Sequence, residues 1–405
     1  MDPKTTGLIH HPYQPPAGFG AVPVAVHKAS TVTFPDTAAL RARNWKHKTG
    51  YTYGLHGTPT SFVLEEQIAS LEGGLQTLLV PSGLAAVAVV DLALLKSGDH
   101  VLIPDNAYGP NKELARHELA GWGITHGFYD AMDPGRLDAA LAALPTGITR
   151  LVWLEAAGSV TMEFPDLPAL LRVVRRHGAI AVLDNTWGAG IAFDPFDLGT
   201  DPDGPAGARL GVDISVHALT KYPSGGADVL MGAVTTRDEA LHLRLKAGHM
   251  RMGWGVAAND IEFVLRSLPT LALRYAAHDR AARRLAQWWT GRPEVVQVLH
   301  PALPGSPGHA HWQAVCGARD AAAGLFSVVF DPRHSPRQVD AFVDALTLFR
   351  IGYSWAGPVS LVVPYDLASM RATPPWPGTL VRFSVGLESV DDLIADLAQA
   401  LDVLG

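Results

Sequence analysis

Three short stretches of this 405-residue chain carry groups able to hold and activate a charged small molecule. Lys221 follows the apolar run Ile214-Ser215-Val216-His217-Ala218-Leu219 and leads into Tyr222-Pro223-Ser224-Gly225-Gly226. A lysine at the end of a buried strand loses hydration, which keeps its amine neutral, nucleophilic and able to form a Schiff base. Asp184 ends a second apolar run, Ala179 to Leu183, and is followed by Asn185-Thr186-Trp187. Pro81-Ser82-Gly83 precedes a third, Leu84 to Leu95, whose start offers unpaired N–H groups and a favourable dipole to a phosphate. Each has an ordinary explanation when taken singly: a solvated lysine, a turn-forming aspartate, a plain helix cap. Together they supply imine formation, protonation of a ring nitrogen and an anion cradle, the three demands of pyridoxal phosphate.

The elements that must position these groups follow from hydrophobic periodicity. A helical pattern runs through Phe62, Leu64, Ile68 and Leu71 and stops at Gly73-Gly74. Leu75–Val80, His100–Pro104, Leu151–Leu154, Ala179–Leu183 and Asp213–Ala218 read as strands, with Leu84–Leu95 and Pro168–His177 as helices between them. The strands are apolar at successive positions, as in a parallel sheet covered on both faces. Ligands collect at the carboxyl ends of such strands, where Asp184 and Lys221 are expected. Beyond Gly253 the rhythm changes to a long helix, Ile261–Trp289, and strands near Leu325–Phe330 and Leu380–Val385, which imply a smaller α+β domain.

The totals narrow the function. A net charge of −7 without a Lys/Arg stripe argues against nucleic acid as a partner. The polar opening, Met1 to Gly20, lacks the features of a secretory signal. Leu84–Leu95 is far shorter than the ~20 residues that span a bilayer. One cysteine, Cys316, leaves no internal disulfide and no thiolate metal cluster, so a cytoplasmic location without a metal is expected.

Over essentially its whole length the chain resembles the cysteine/methionine metabolism family of pyridoxal-phosphate enzymes. The resemblance is carried by Thr220-Lys221-Tyr222 with Gly225 and Asp228, Leu183-Asp184-Asn185-Thr186-Trp187, Ser82-Gly83-Leu84-Ala85-Ala86, and Leu380-Val381-Arg382-Phe383-Ser384-Val385-Gly386-Leu387-Glu388. It implies an aspartate-aminotransferase-like α/β fold with a mostly parallel central sheet. Residues 1–58 would be an arm reaching a neighbour's site, 59–255 the large cofactor domain and 256–405 the C-terminal α+β domain. It implies cofactor bound covalently to Lys221, Asp184 on the ring nitrogen, Tyr108 stacked on the ring, and Ser82, Gly83, Leu84, Thr186 and Thr220 as further cofactor contacts. Tyr53 would enter the neighbouring subunit's site and help receive the substrate's amine proton. Arg382 would grip the substrate carboxylate, Ser354 would orient Arg382 or Lys221, and Trp355 would form an apolar wall.

Tyr353-Ser354-Trp355-Ala356-Gly357 and His300-Pro301-Ala302-Leu303-Pro304-Gly305 look more like cystathionine β-lyases than γ-specific relatives. The resemblance therefore implies a carbon–sulfur lyase acting on an amino-acid substrate in a homodimer or homotetramer. A γ-lyase, a γ-synthase, an O-acylhomoserine sulfhydrylase and a non-catalytic binding protein are the alternatives. The chain departs from the family at Leu55, where an arginine usually meets the phosphate, with His56 beside it. Ala218 replaces a common serine and Gly226 a common histidine.

Overall fold

The computed structural model describes residues 3–10, 13–148, 150–205 and 207–404. The remaining positions of the expected arm, 1–2 and 11–12, lie outside these. Seven strands form the larger sheet: β1 Gln76–Val80, β2 His100–Pro104, β3 Thr125–Tyr129, β4 Arg150–Glu155, β5 Ile180–Asp184, β6 Ile214–His217 and β7 Gly232–Thr236. Their order is β1-β7-β6-β5-β4-β2-β3. Pairing is parallel except at β7, which runs against both β1 and β6. Every residue of β2, β6 and β7 is buried, so the unbroken apolar runs reflect helices covering both faces.

Local chemistry sets the helices that frame the sheet. Thr58 and Ser61 close a capping box at the start of Pro59–Glu72, and Gly73, at φ +77°, ends it in the left-handed region that glycine tolerates. Ser82 caps Gly83–Leu94 by accepting from the Ala85 N–H. The first helix, Pro3–Ile9, is tied to this same chain: Lys4 Nζ donates to the carbonyls of Leu71 at 2.8 Å and Gly190 at 2.9 Å.

The smaller sheet is β10-β11-β12-β9-β8, built from β8 Val295–Leu299, β9 Leu325–Phe330, β10 Arg350–Ile351, β11 Leu361–Tyr365 and β12 Leu380–Ser384. The single helix expected over Ile261–Trp289 is in fact two, Ala258–Ser267 and Leu271–Trp289, separated by a turn at Leu268–Thr270. Pro269 has no N–H to continue the ladder, which explains the break.

A buried charge cluster fastens the two sheets together. Arg371, in the connection between β11 and β12, donates to Glu163 at 2.7 Å and to Asp105 at 3.0 Å. Lys112 Nζ donates to the carbonyls of Asp105 at 2.8 Å and Met370 at 2.9 Å. Among the described residues no helix is long and apolar enough to cross a membrane, and no His/Cys/Asp/Glu cluster is arranged to hold a metal ion.

Candidate active site

Because β4, β5 and β6 run in parallel, their carboxyl ends share one rim. Glu155 pairs in register with Asp184, and Asp184 with Val216. Lys221 follows the end of β6 by four residues. Its Nζ donates to Ser354 Oγ at 2.6 Å and lies 5.6 Å from the centre of the Trp355 ring. Burial, and then the Arg382 guanidinium, bring the amine down to about 8 against the opposing field of Asp184. About a tenth of it is therefore unprotonated at pH 7, far more than for an ordinary lysine.

Asp184 and the lysine strand are joined through Thr186. The Thr186 hydroxyl donates to Asp184 Oδ1 at 2.5 Å and accepts from the Ala218 N–H at 2.9 Å, while the Thr186 N–H donates to the same carboxylate at 3.0 Å. Burial pushes Asp184 above the usual carboxylate range, and these hydrogen bonds pull against it. Behind the rim, Glu72 accepts from Asn185 and Ser215 at 2.8 Å each and sits 2.9 Å from His217.

The helix start at Gly83 has no room for a side chain, since a Cβ there would come within 2.7 Å of the Ala218 methyl. Ser82 Oγ is engaged as the helix cap. The Thr220 hydroxyl donates to the Met231 carbonyl at 3.2 Å and accepts from its N–H at 3.0 Å, so it braces the turn after the lysine. Leu84 is partly exposed at the first turn of the helix.

Arg382 rises from β12 opposite Ser327 and Val363. It is 7% exposed, its Nη2 donates to the Ser354 carbonyl at 3.3 Å, and its Nε is buried without a partner. The guanidinium lies 5.5 Å from the Tyr365 ring centre. Ser354 touches Arg382 through its carbonyl and Lys221 through its hydroxyl. It does so at φ +87°, and Ala356 follows at +65°, backbone conformations that side chains ordinarily avoid.

The family described as Cys/Met metabolism PLP-dependent enzyme matches residues 5–402. The chain belongs to that family. It is 41% identical to a cystathionine beta-lyase of Bordetella avium, covering 98% of this chain and 96% of the relative. It is 35% identical to the cystathionine beta-lyase MetC of Escherichia coli (strain K12), covering 93% of each. Among solved structures, a cystathionine gamma synthase of Xanthomonas oryzae pv. oryzae in complex with cystathionine aligns with a TM-score of 0.85 at 28% identity, covering 99% of this chain and 98% of that one.

The cofactor of a Cys/Met metabolism enzyme is pyridoxal phosphate, and this rim fits it. An amine of lowered pKa, a carboxylate on the neighbouring strand and a helix start that glycine packs close against Ala218 supply partners for an aldehyde, a ring nitrogen and a phosphate. Tyr108 is half-buried near this rim, where burial and then the charges of Asp184 and Glu155 push its phenol up. Lys221, Asp184, Thr186, Ser354, Trp355 and Arg382 are thus gathered by one chain. Tyr53 is not: it is 47% exposed, and no hydrogen bond or ring contact links it to Lys221 or Arg382 among the described residues.

The sequence reading missed Glu155. It ends β4 as Asp184 ends β5, accepts from the Tyr108 N–H at 2.8 Å, and is pushed well above the carboxylate range by burial and then by Asp184. A carboxylate closing a third apolar run was the available signal. Tyr365 was also missed, because only its place in the smaller sheet brings it against Arg382.

Proposed function

We propose that this enzyme is a cystathionine β-lyase, cleaving L-cystathionine by α,β-elimination to homocysteine, pyruvate and ammonia. The observation that carries this reading is the hydrogen-bonded line Lys221–Ser354–Arg382, which puts a part-neutral amine beside a guanidinium with an unused buried donor. The bound cofactor supplies an electron sink for the charge released at Cα. Arg382 holds the substrate's α-carboxylate through its planar fork and so presents Cα to Lys221 Nζ, which takes the proton. Asp184 favours a protonated ring nitrogen, Thr186 fixes Asp184, and Ser82, Gly83, Leu84 and Thr220 frame the phosphate pole. Tyr108 would lie against the ring of the bound cofactor, and Trp355 would shield the lysine from water. The Cβ–S bond then breaks with the electron pair leaving on sulfur, which is protonated as homocysteine departs. The remaining enamine tautomerises and hydrolyses to pyruvate and ammonia.

In this reading residues 1–58 serve as an arm, residues 59–255 carry the cofactor and residues 256–405 carry Arg382. The exposed Tyr53 enters the site of a second copy, so the minimal unit is a dimer, or a tetramer built from dimers, acting in the cytoplasm. The names of the Bordetella avium and Escherichia coli relatives support β-elimination. The Xanthomonas oryzae likeness favours γ-chemistry as the second reading.

Product identification from cystathionine decides between them. Pyruvate from the wild type and none from Lys221→Ala is the expected result. Release of 2-oxobutyrate instead would transfer the assignment to the γ-reading, and an inactive, cofactor-free wild type would remove the enzyme assignment.

A further inference from the structure

Positive charge that the lyase chemistry leaves unused gathers in a cavity between residues 45–57 and the helix Glu239–Met252. His242, Lys246 and His249 are spaced four and three residues apart on that helix and share one face. Lys48, His56 and Glu65 line the same cavity.

The charges there do not cancel. Glu65 is the one acidic side chain lining the cavity among the described residues, and it lies 2.7 Å from Lys48, whose ammonium also donates to the Thr77 carbonyl at 3.2 Å. Lys246 is 5% exposed yet has no hydrogen bond or ion pair among the described residues; its ammonium lies 5.9 Å from the centre of the Phe62 ring. His249 Nε2 is buried without a partner. His242 is buried beside them. A buried cation without a hydrogen-bond partner, with one unsatisfied ring nitrogen beside it, is unfavourable until a partner arrives.

We propose that this cavity binds an oxyanion of the phosphate class through Lys246 Nζ, with His249 Nε2 as a second donor in the tautomer that carries its proton there. An anion suits the cavity because its unpartnered groups are a cation and one imidazole nitrogen, and its one carboxylate, Glu65, is already bonded to Lys48. Phosphate suits them because its oxygens point in four directions and can accept from donors on the helix and on the 45–57 segment together. Two sources present this chemistry: free phosphate, and the phosphate of a cofactor carried by a second copy of the chain. The second source has a basis in the charge pattern. The side chains at the phosphate pole of the cofactor site, Ser82, Ala218 and Thr220, are uncharged, whereas the cavity wall Gly54–Gly57 directly follows the exposed Tyr53. The cavity's affinity for an anion stands whether or not the lyase reading does.

Calorimetric titration with inorganic phosphate tests it on the apoprotein and the holoenzyme, using wild type, Lys246→Met and Lys246→Arg. Wild type is expected to bind saturably, the Met variant about tenfold or more weakly, and the Arg variant near the wild-type level. If the anion is free phosphate, binding persists in the holoenzyme. If it is a second copy's cofactor, binding is seen only in the apoprotein, and Lys246→Met weakens pyridoxal phosphate while leaving pyridoxal, which lacks the phosphate, unchanged. Absence of saturable phosphate binding in both wild-type forms overturns the proposal, as does a Met variant that binds like wild type. His249→Phe gives the same comparison should Lys246→Met fail to fold.

Discussion

Lys221 Nζ and Ser354 Oγ, 133 residues apart in the chain, meet at 2.6 Å. The contact joins the rim of the larger sheet to the loop between β10 and β11, held at Ser354 in left-handed backbone. Ser354→Ala should lower kcat/KM about tenfold, the value of one hydrogen bond to a charged or reacting amine, while cofactor remains bound. Steady-state rates together with the visible spectrum of the bound cofactor check both halves. An unchanged kcat/KM would remove Ser354 from the positioning of the lysine.

Arg382 depresses the Lys221 amine as well as facing the substrate. The amine of the apoprotein should capture an aldehyde at a rate that rises with pH around a midpoint near 8. The guanidinium's charge disfavours the ammonium, so Arg382→Ala must move this midpoint upward; removal of Asp184, whose charge favours the ammonium, must move it downward. The same Arg382 variant should lose about a hundredfold or more in kcat/KM, chiefly through KM. Stopped-flow capture of pyridoxal phosphate across pH reads the first effect, and a midpoint that shifts the other way contradicts the electrostatic assignment.

Gly83 packs so close to Ala218 that a Cβ would come within 2.7 Å of its methyl. Gly83→Val should weaken cofactor binding about tenfold or more through overpacking at the helix start. Equilibrium reconstitution followed by absorbance measures it, with circular dichroism to establish that the fold survives.

Glu72 is fully buried, and burial pushes its carboxyl up, but His217, Asn185 and Ser215 together hold it below the usual range. Glu72→Ala would strand all three partners, so a loss of about 3–5 kcal/mol is expected. Urea unfolding gives the number. A loss under about 1 kcal/mol would mean that water substitutes for the carboxylate.

Much of this site could be read from the sequence because strand ends are local events. An apolar run that stops at Asp184, or just before Lys221, signals a buried strand emerging at a rim, and the cap at Ser82 is written in the residues beside it. The residues that escaped depend on pairing between distant segments. Glu155 matters because β4 lies in register with β5, Tyr365 because β11 lies beside β12, and Arg371 because its connection crosses to Asp105 and Glu163. The antiparallel direction of β7 had no local marker either. Pro269 did mark the break in the expected long helix, but the apolar periodicity continued across it and masked the stop.

The grip of Asp105 and Glu163 on Arg371 also limits how the molecule can breathe. Parting the two sheets along that line would pull a largely buried guanidinium from both of its carboxylates. That edge is therefore costly to part, whereas at the rim Tyr108 and Tyr353 already face water.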